Sequence, residues 1–210
     1  MADQSNGSVP AHIFREYDIR GIVDHDLNED VYYQLGQAYG TFLYAQEGVS
    51  PVSGERMRVA CGRDVRLSSE RFQKALMRGM ADSGVDVIDV GMVATPVLYF
   101  SVKFLDTDGG AEVTASHNPA EYNGLKLRKR TGEGLNAPLT SADIQALLHI
   151  IQGGQFHDGG GSVTERPTQP EYVKYVVETV KVNRPLKVVI DPGNGVTGPT
   201  TMEVYTALGC

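Results

Sequence analysis

The stretch GGAEVTASHNPAEYNGLKL, residues 109–127, places several chemically active side chains close together. Ser116 is followed by His117 and by an Asn-Pro turn that begins at Asn118, and Lys126 comes ten residues after the serine. A serine hydroxyl can carry a phosphoryl group, and a nearby cation can stabilise charge or move a proton. The spacing is therefore typical of a phosphoryl-transfer loop, although serine, asparagine and proline also form ordinary turns.

A serine-hydrolase triad fits this stretch poorly. No GxSxG elbow surrounds Ser116. Neighbouring residues on an extended chain point to opposite faces, so His117 is not expected to be the base for Ser116, although it can reach a substrate oxygen. The remaining histidines show no metal-ligand spacing such as HExxH.

Two further segments concentrate charged residues that suit an anionic ligand. IFREYDIRG contains Tyr17 and Arg20, and arginine makes bidentate contacts with phosphate. GRDVR contains Arg63 and Asp64 at the predicted end of a strand. Each segment also has a simpler interpretation: the first as an edge strand with solvated charges, the second as a loop that Asp64 braces together with Arg66.

The apolar pattern around these segments alternates between strands and helices from about residue 55 to residue 152. Residues 28–46 show the periodicity of a helix capped by Asn28, and a later helix begins at Thr95 and Pro96. Thr140 and Asp143 predict a capping box at the start of a further helix. This alternation predicts an α/β fold, a layered α/β/α domain with a mixed, largely parallel sheet. Ligand groups collect at the strand ends of such sheets, and Ser116 follows a predicted strand at such an end.

The chain divides into three predicted parts. Residues 1–154 form the first domain, residues 155–168 a linker with three consecutive glycines, and residues 169–210 the incomplete start of a second, similar domain. In the last part, LKVVID is predicted as a strand and PGNGVTG as a loop, with helices on both sides. One strand between two helices is too little to bury a sheet of its own.

Composition excludes several function classes. The 210 residues carry a formal net charge of -7, which disfavours non-specific nucleic-acid binding. The two cysteines form no CxxC motif, which favours a reducing compartment. The N-terminal residues have no apolar core typical of a signal peptide, and no apolar run is long enough to span a membrane. We therefore expect a cytoplasmic protein without nucleic-acid or membrane partners.

Three motifs in this order resemble those of the α-D-phosphohexomutase family, in its bacterial phosphomannomutase/phosphoglucomutase branch. They are TASHNPAEYNGLK, IFREYDIRG and GRDVR, and VVIDPGNGVTG is similar to the start of the family's second domain. The resemblance implies that Ser116 is carried as phosphoserine, that Lys126 is a general acid or base and that His117 lines the site. It assigns substrate binding to Tyr17, Arg20 and Asn118, with Arg63 and Asp64 in support.

The resemblance also implies a reaction and its partners. Hexose 1-phosphate and hexose 6-phosphate, of mannose or glucose, would be interconverted through a hexose 1,6-bisphosphate. Mg²⁺ would bind an oxygen of the Ser116 phosphate, with its other ligands on an aspartate-rich DGDGDR loop that these 210 residues lack. The loops for sugar and phosphate recognition in the family's C-terminal domains are also missing, so we expect this chain alone to be inactive.

Two alternatives of other classes remain at this point. GNGVTG, Gly193 to Gly198, satisfies the dinucleotide fingerprint GxGxxG after an apolar segment, which would make the protein a nucleotide-dependent oxidoreductase. GEGLNA, from Gly132, fits a looser form of the fingerprint but follows a charged segment. A non-catalytic paralogue is the other alternative, and its mark would be the loss of Ser116 or Lys126, both of which are present.

Overall fold

The computed structural model describes residues 9–46, 56–131 and 136–210. The GEGLNA segment therefore lies mostly outside the described residues. The strands are β1 Ile19–Ile22, β2 Arg58–Arg63, β3 Asp86–Met92, β4 Gly109–Val113, β5 Tyr122–Arg130, β6 Asn136–Pro138 and β7 Val163–Glu165. The α-helices are α1 Glu29–Tyr44, α2 Ser69–Asp82, α3 Thr95–Phe104, α4 Ser141–Gly153, α5 Gln169–Thr179 and α6 Thr197–Ala207.

One seven-stranded mixed sheet forms the centre of the fold. Its order is β1-β5-β4-β2-β3-β7, and β6 pairs with the last three residues of β5, beyond those that pair with β1. Strands β4, β2, β3 and β7 run parallel, whereas β5 runs antiparallel to its neighbours β1, β4 and β6. This confirms the predicted α/β fold class. Because β4 and β5 are adjacent, the loop that joins them brings the residues around Ser116 and Lys126 to neighbouring strands.

Helices cover both faces of the sheet. Helices α1, α2 and α4 share one apolar core with alternate residues of the central strands, such as Val59, Ala111 and Val113. A smaller core on the other face joins α3 to Ala60 and Val90. The alternation follows from the period of two along a strand, and burying each large apolar side chain stabilises the fold by roughly 1.5–3 kcal/mol.

The predicted helix boundaries agree with the caps in the structure. The Val31 N–H donates to Asn28 Oδ1 at 2.9 Å, so Asn28 is the cap of α1. Thr140 and Asp143 form the reciprocal capping box of α4. Pro96 occupies the first turn of α3, where its missing N–H costs no helical hydrogen bond. None of the helices in the described ranges is long and apolar enough to cross a membrane.

The segment interpreted as a linker contains a strand of the sheet. Residues of β7 pair in parallel with β3, and the Val87 N–H donates to Ser162 O at 2.7 Å. The outer edge of β3 presents unpaired backbone groups, and a short run of residues can satisfy them even when its side chains are exposed, as those of Val163 and Glu165 are. Tertiary pairing therefore overrides the glycine-rich composition here.

The predicted strand LKVVID does not form in the structure. Residues 186–191 have no strand assignment, and Leu186, Val188 and Val189 are exposed. The composition is that of a strand, but a strand needs a neighbouring strand for its backbone groups, and no described strand pairs with this segment.

Candidate functional site

Ser116 lies just beyond the C-terminal end of β4 in an unusual backbone conformation. Its φ of 56° is in the left-handed region, which costs a non-glycine residue roughly 1–2 kcal/mol. Two local hydrogen bonds hold the turn: the Ser116 N–H donates to Thr114 Oγ1 at 2.9 Å, and the Asn118 N–H donates to Ala115 O at 3.0 Å. Ser116 itself is exposed. The strained turn thus ends the strand and presents the hydroxyl to an incoming group.

His117 is closer to the serine than sequence reasoning predicted. Its Nδ1 atom is 3.4 Å from Ser116 Oγ, a long distance for a hydrogen bond. The expectation that the two side chains point to opposite faces is wrong, because it assumes an extended backbone. The left-handed conformation of Ser116 breaks the alternation and leaves both side chains on the exposed side of the turn.

Arg20 of β1 and Lys126 of β5 share one carboxylate, that of Asp18. Arg20 donates to Asp18 Oδ2 through Nε at 3.0 Å and through Nη2 at 2.8 Å. Lys126 Nζ lies 3.5 Å from the same oxygen. Arg20 Nη1 also donates to Thr114 O at 3.4 Å, so the guanidinium reaches the end of β4 beside the Ser116 turn. Asp18 was not among the predicted site residues, although it stands inside the IFREYDIRG motif.

A glycine makes the reach of Arg20 possible. Gly124 of β5 pairs in register with Arg20, between β1 and β4. A Cβ atom at Gly124 would lie 2.2 Å from Ile19 O and 2.8 Å from the Arg20 Cδ atom. Any other residue would therefore displace the arginine side chain from its path across β5 to Thr114.

Two of the predicted site residues do not contact the Ser116 turn. Tyr17 is 67% exposed, and its hydroxyl donates to Glu16 Oε1 at 3.0 Å, a contact that raises the pKa of the phenol. Arg63 Nη2 lies 3.8 Å from Glu70 Oε2, and Nη1 donates to Asp64 O at 3.4 Å. The hydrogen bonds and ion pairs described for these two side chains thus connect them to residues outside the turn.

Asp64 has the bracing contacts that were considered for it. Its Oδ1 accepts from the Arg66 backbone N–H at 3.0 Å and from Ser69 Oγ at 2.5 Å. Its Oδ2 lies 3.2 Å from Arg66 Nε. The carboxylate is thereby occupied with the loop between β2 and α2, while Asn118 accepts from the Arg66 side chain through its backbone oxygen.

A cleft of about 1200 Å³ opens beside the Ser116 turn. Its walls include Ser116, His117 and Asn118, the first residues of α2 and α3, and the turn Pro192–Thr197 that precedes and begins α6. Helix N-termini carry unpaired N–H groups and a partial positive charge, so three helix starts at one cleft favour an anion. GNGVTG therefore contributes to the wall of the cleft that Ser116 also lines.

Glu112 of β4 is a buried carboxyl group in the floor of this cleft. It is 1% exposed, and its Oε2 atom accepts no hydrogen bond within the described structure. Burial raises the pKa of Glu112 to about 8, and the charge of Asp64 acts in the same direction. A hydrogen bond from Thr95 and the charge of Lys126 act in the opposite direction. Glu112 is therefore protonated and uncharged at neutral pH, which removes a repulsive charge from beneath an anion site.

We predict that Glu112→Gln makes stability less dependent on pH. Between about pH 5 and pH 8 the folded state keeps a proton on Glu112, whereas the unfolded state has already released it. The free energy of unfolding therefore falls as pH rises, by up to about 1.4 kcal/mol per pH unit. Glutamine has no such proton. The free energy of unfolding of the variant, relative to that of the wild type, should therefore rise by on the order of a few kcal/mol from about pH 5 to about pH 8.

Urea unfolding over this pH range measures the effect. Glu203→Gln is the matched control, since Glu203 is exposed on α6 and its removal should leave the slope as it is in the wild type. A difference between Glu112→Gln and wild type that stays constant with pH would show that Glu112 is ionised in the folded protein.

The described residues of this chain do not form a magnesium site by themselves. Mg²⁺ prefers near-octahedral oxygen coordination with one or two carboxylates. No group of three potential metal-ligating side chains occurs within the described ranges, the Asp64 carboxylate is bound to Arg66 and Ser69, and Glu112 is protonated and buried. A phosphorylated Ser116 would add anionic oxygens to which such a metal could bind.

Comparison with known proteins identifies the family. Residues 11–155 match the sequence model of the family described as phosphoglucomutase/phosphomannomutase, alpha/beta/alpha domain I. The chain is 41% identical over all its 210 residues to a phosphomannomutase/phosphoglucomutase of Pseudomonas aeruginosa, and covers 42% of that protein. It is 39% identical over 204 residues to a phosphoglucomutase of Neisseria meningitidis, with 96% of this chain and 42% of the relative covered.

A solved structure agrees with the sequence matches. A phosphoglucomutase/phosphomannomutase family protein of Burkholderia thailandensis superposes with a TM-score of 0.84 at 37% identity, covering 96% of this chain and 43% of that one. The chain thus spans about two fifths of the length of the relatives it matches. With a family match over most of its residues and the same fold, the chain belongs to the phosphoglucomutase/phosphomannomutase family.

Proposed function

We propose that the protein containing this chain is a phosphohexomutase, an intramolecular phosphotransferase that interconverts hexose 1-phosphates and hexose 6-phosphates of mannose, glucose or both. The observation that carries the proposal is the exposed Ser116 hydroxyl in a strained turn, beside a cleft whose walls include residues from the starts of three helices. The family match over residues 11–155 supports it.

The proposed reaction has two phosphoryl transfers. The Oγ–P bond of phosphorylated Ser116 breaks and Oγ takes up a proton, while the O6 hydroxyl of a hexose 1-phosphate forms a bond to phosphorus and gives up its proton to a base. The resulting hexose 1,6-bisphosphate turns over in the cleft. The phosphoryl group on O1 then returns to Ser116 Oγ, which gives up its proton, O1 takes up a proton, and hexose 6-phosphate leaves. Phosphate and protons balance over the cycle.

In this proposal, the residues around Ser116 transfer protons, stabilise charge and bind the substrate. Lys126 moves the proton or stabilises the charge that develops, and Asp18, which is itself bound by Arg20, positions its ammonium. His117 contacts a phosphate or sugar oxygen from the exposed side of the turn. Asn118 and Tyr17 bind substrate. Because the Tyr17 hydroxyl donates to Glu16 here, Tyr17 reaches the substrate only when a ligand or another part of the protein moves it to the cleft.

The complete reaction needs residues beyond those of this chain. The magnesium ion of this proposal would depend on carboxylates outside the described residues. Phosphoryl transfer without hydrolysis also requires that water be excluded, which an open cleft does not achieve. We propose that further domains close over the sugar. A cytoplasmic location would suit the phosphorylated substrates and the two unpaired cysteines, Cys61 and Cys210.

We predict that Lys126→Met lowers kcat by about 10²-fold or more, the usual effect of losing a positioned acid or base. Lys126 is partly exposed and its ion pair with Asp18 is long, so thermal stability should barely change. The measurement is mutase turnover of the protein containing this chain, with glucose 1-phosphate and with mannose 1-phosphate, which also tests the proposed function itself.

Lys103→Met is the matched control, because Lys103 is exposed on α3. A Lys126→Met protein with near-normal kcat and a stability loss of about 3 kcal/mol would make Lys126 a structural residue instead. Absence of turnover in the wild type with either sugar would contradict the phosphohexomutase proposal.

A further inference from the structure

Arg66 lies inside the curve of the loop that carries Ser116. Its Nη1 donates to Pro119 O at 2.7 Å and to Tyr122 O at 3.0 Å. Its Nη2 donates to Asn118 O at 2.6 Å and to Ser116 O at 3.3 Å. Three backbone oxygens of the loop between β4 and β5 and one at the first residue of β5 therefore converge on a single guanidinium.

The fifth N–H group of this guanidinium has a partner as well. Arg66 Nε lies 3.2 Å from Asp64 Oδ2, and only 14% of the Arg66 side chain is exposed. A guanidinium has five N–H donors. The Nη1 and Nη2 atoms of Arg66 make four hydrogen bonds to backbone oxygens, and Nε lies beside the Asp64 carboxylate. The guanidinium is thus engaged by the protein itself, although an arginine near a phosphoserine would ordinarily suggest phosphate binding.

The carboxylate that holds the guanidinium is itself held by neighbouring elements. Asp64, just after β2, contacts the guanidinium, and Ser69 Oγ donates to the same carboxylate. Asn123 Nδ2, at the start of β5, donates to Ser68 Oγ at 2.7 Å and to Ser69 Oγ at 3.1 Å. These bonds join the end of β2, the start of α2 and the start of β5 into one rigid frame around the loop.

We propose that Arg66 is a positioning residue, which holds the Ser116 turn in its left-handed conformation and thereby fixes where the phosphoryl-carrying oxygen stands. A strained turn persists only where its surroundings determine it fully, and the four carbonyl contacts provide that determination. Lysine cannot replace Arg66, because one ammonium has three donors on one atom and cannot span four carbonyls. The effect on turnover rests on the proposed function, whereas the effect on the loop does not.

Amide hydrogen exchange on the 210-residue chain tests the effect on the loop. The reporters are the amides of Ser116, Asn118 and Tyr122, each of which has a hydrogen-bond acceptor within the loop or just before it. Arg66→Lys should raise their exchange rates by about 10-fold or more while the amides of α1 remain as in the wild type. Arg78→Lys, an exposed change elsewhere on α2, is the matched control. Exchange at these three amides within about twofold of wild type would overturn the proposal.

Turnover of the protein containing this chain tests the consequence for catalysis. Arg66→Ala should lower kcat by about 10²-fold, the scale of a misplaced reacting group, and change KM by less than about threefold. Added ethylguanidinium should restore at least about a tenth of the lost activity in Arg66→Ala and none in Ser116→Ala. If Arg66 only stabilised the fold, its replacement would lower the melting temperature and leave kcat at low temperature unchanged. Normal kcat in Arg66→Ala would therefore overturn the positioning role.

The two measurements separate this inference from the proposed function. If the wild-type protein has no mutase turnover, the proposed function fails, and the exchange rates alone decide whether Arg66 holds the loop.

Discussion

Ser116→Ala should abolish both covalent phosphate on the protein and mutase turnover. Alanine lacks the oxygen that carries the phosphoryl group, and loss of a covalent nucleophile lowers kcat by at least about 10⁴-fold in other enzymes. Stability should be nearly unchanged, because Ser116 is exposed and the contact described for its Oγ is the long one to His117. The variant thus separates chemistry from folding.

Peptide mass spectrometry after incubation with glucose 1,6-bisphosphate locates the phosphate, and the mutase assay measures turnover. Ser141→Ala is the matched control, since Ser141 is an exposed serine at the start of α4. Phosphate on a different residue, together with normal turnover in Ser116→Ala, would refute the assignment of Ser116.

The 210-residue chain on its own should show less than about one thousandth of an ordinary enzyme's turnover of roughly 10 s⁻¹. The chain covers only 42% of its Pseudomonas relative, and the residues described here do not assemble a magnesium site. Leu186, Val188 and Val189 are exposed, and no described strand pairs with their segment, so no strand pairing is described that would fix the Pro192–Thr197 wall of the cleft.

A coupled assay with glucose 1-phosphate, Mg²⁺ and a trace of glucose 1,6-bisphosphate measures this activity. A longer family member such as the Pseudomonas protein, assayed in parallel, shows that the assay detects turnover. Activity of the isolated chain above the stated limit would mean that these residues suffice for the reaction, and that the cleft seen here is already complete.

Local sequence was enough for most of the helices and for the position of Ser116 at a strand end. Helix caps at Asn28 and Thr140 depend on contacts within three residues, so their residue types alone predicted where α1 and α4 begin. The period of the apolar residues likewise predicted the α/β layers. The position of Ser116 at a strand end, with Lys126 on the next strand, follows from the short connection between β4 and β5.

Tertiary structure decided which side chains meet. Nothing in the spacing of Asp18, Arg20 and Lys126 reveals that one carboxylate holds both cations, because β1 and β5 become neighbours only in the sheet. The same holds for Glu112, since its raised pKa comes from burial beneath a cleft that α3 and the start of α6 help to form.

The clearest difference between the two kinds of information concerns the charged residues of the GRDVR motif. Sequence reasoning gave Arg63 and Asp64 supporting roles, and considered Arg66 only as the partner of Asp64. The structure turns Arg63 toward Glu70 and places Arg66 at the centre of the Ser116 loop. Residue types and spacing specify the short-range contacts of a chain, whereas the direction of a long side chain at a loop is set by acceptors that lie about 50 residues away in sequence.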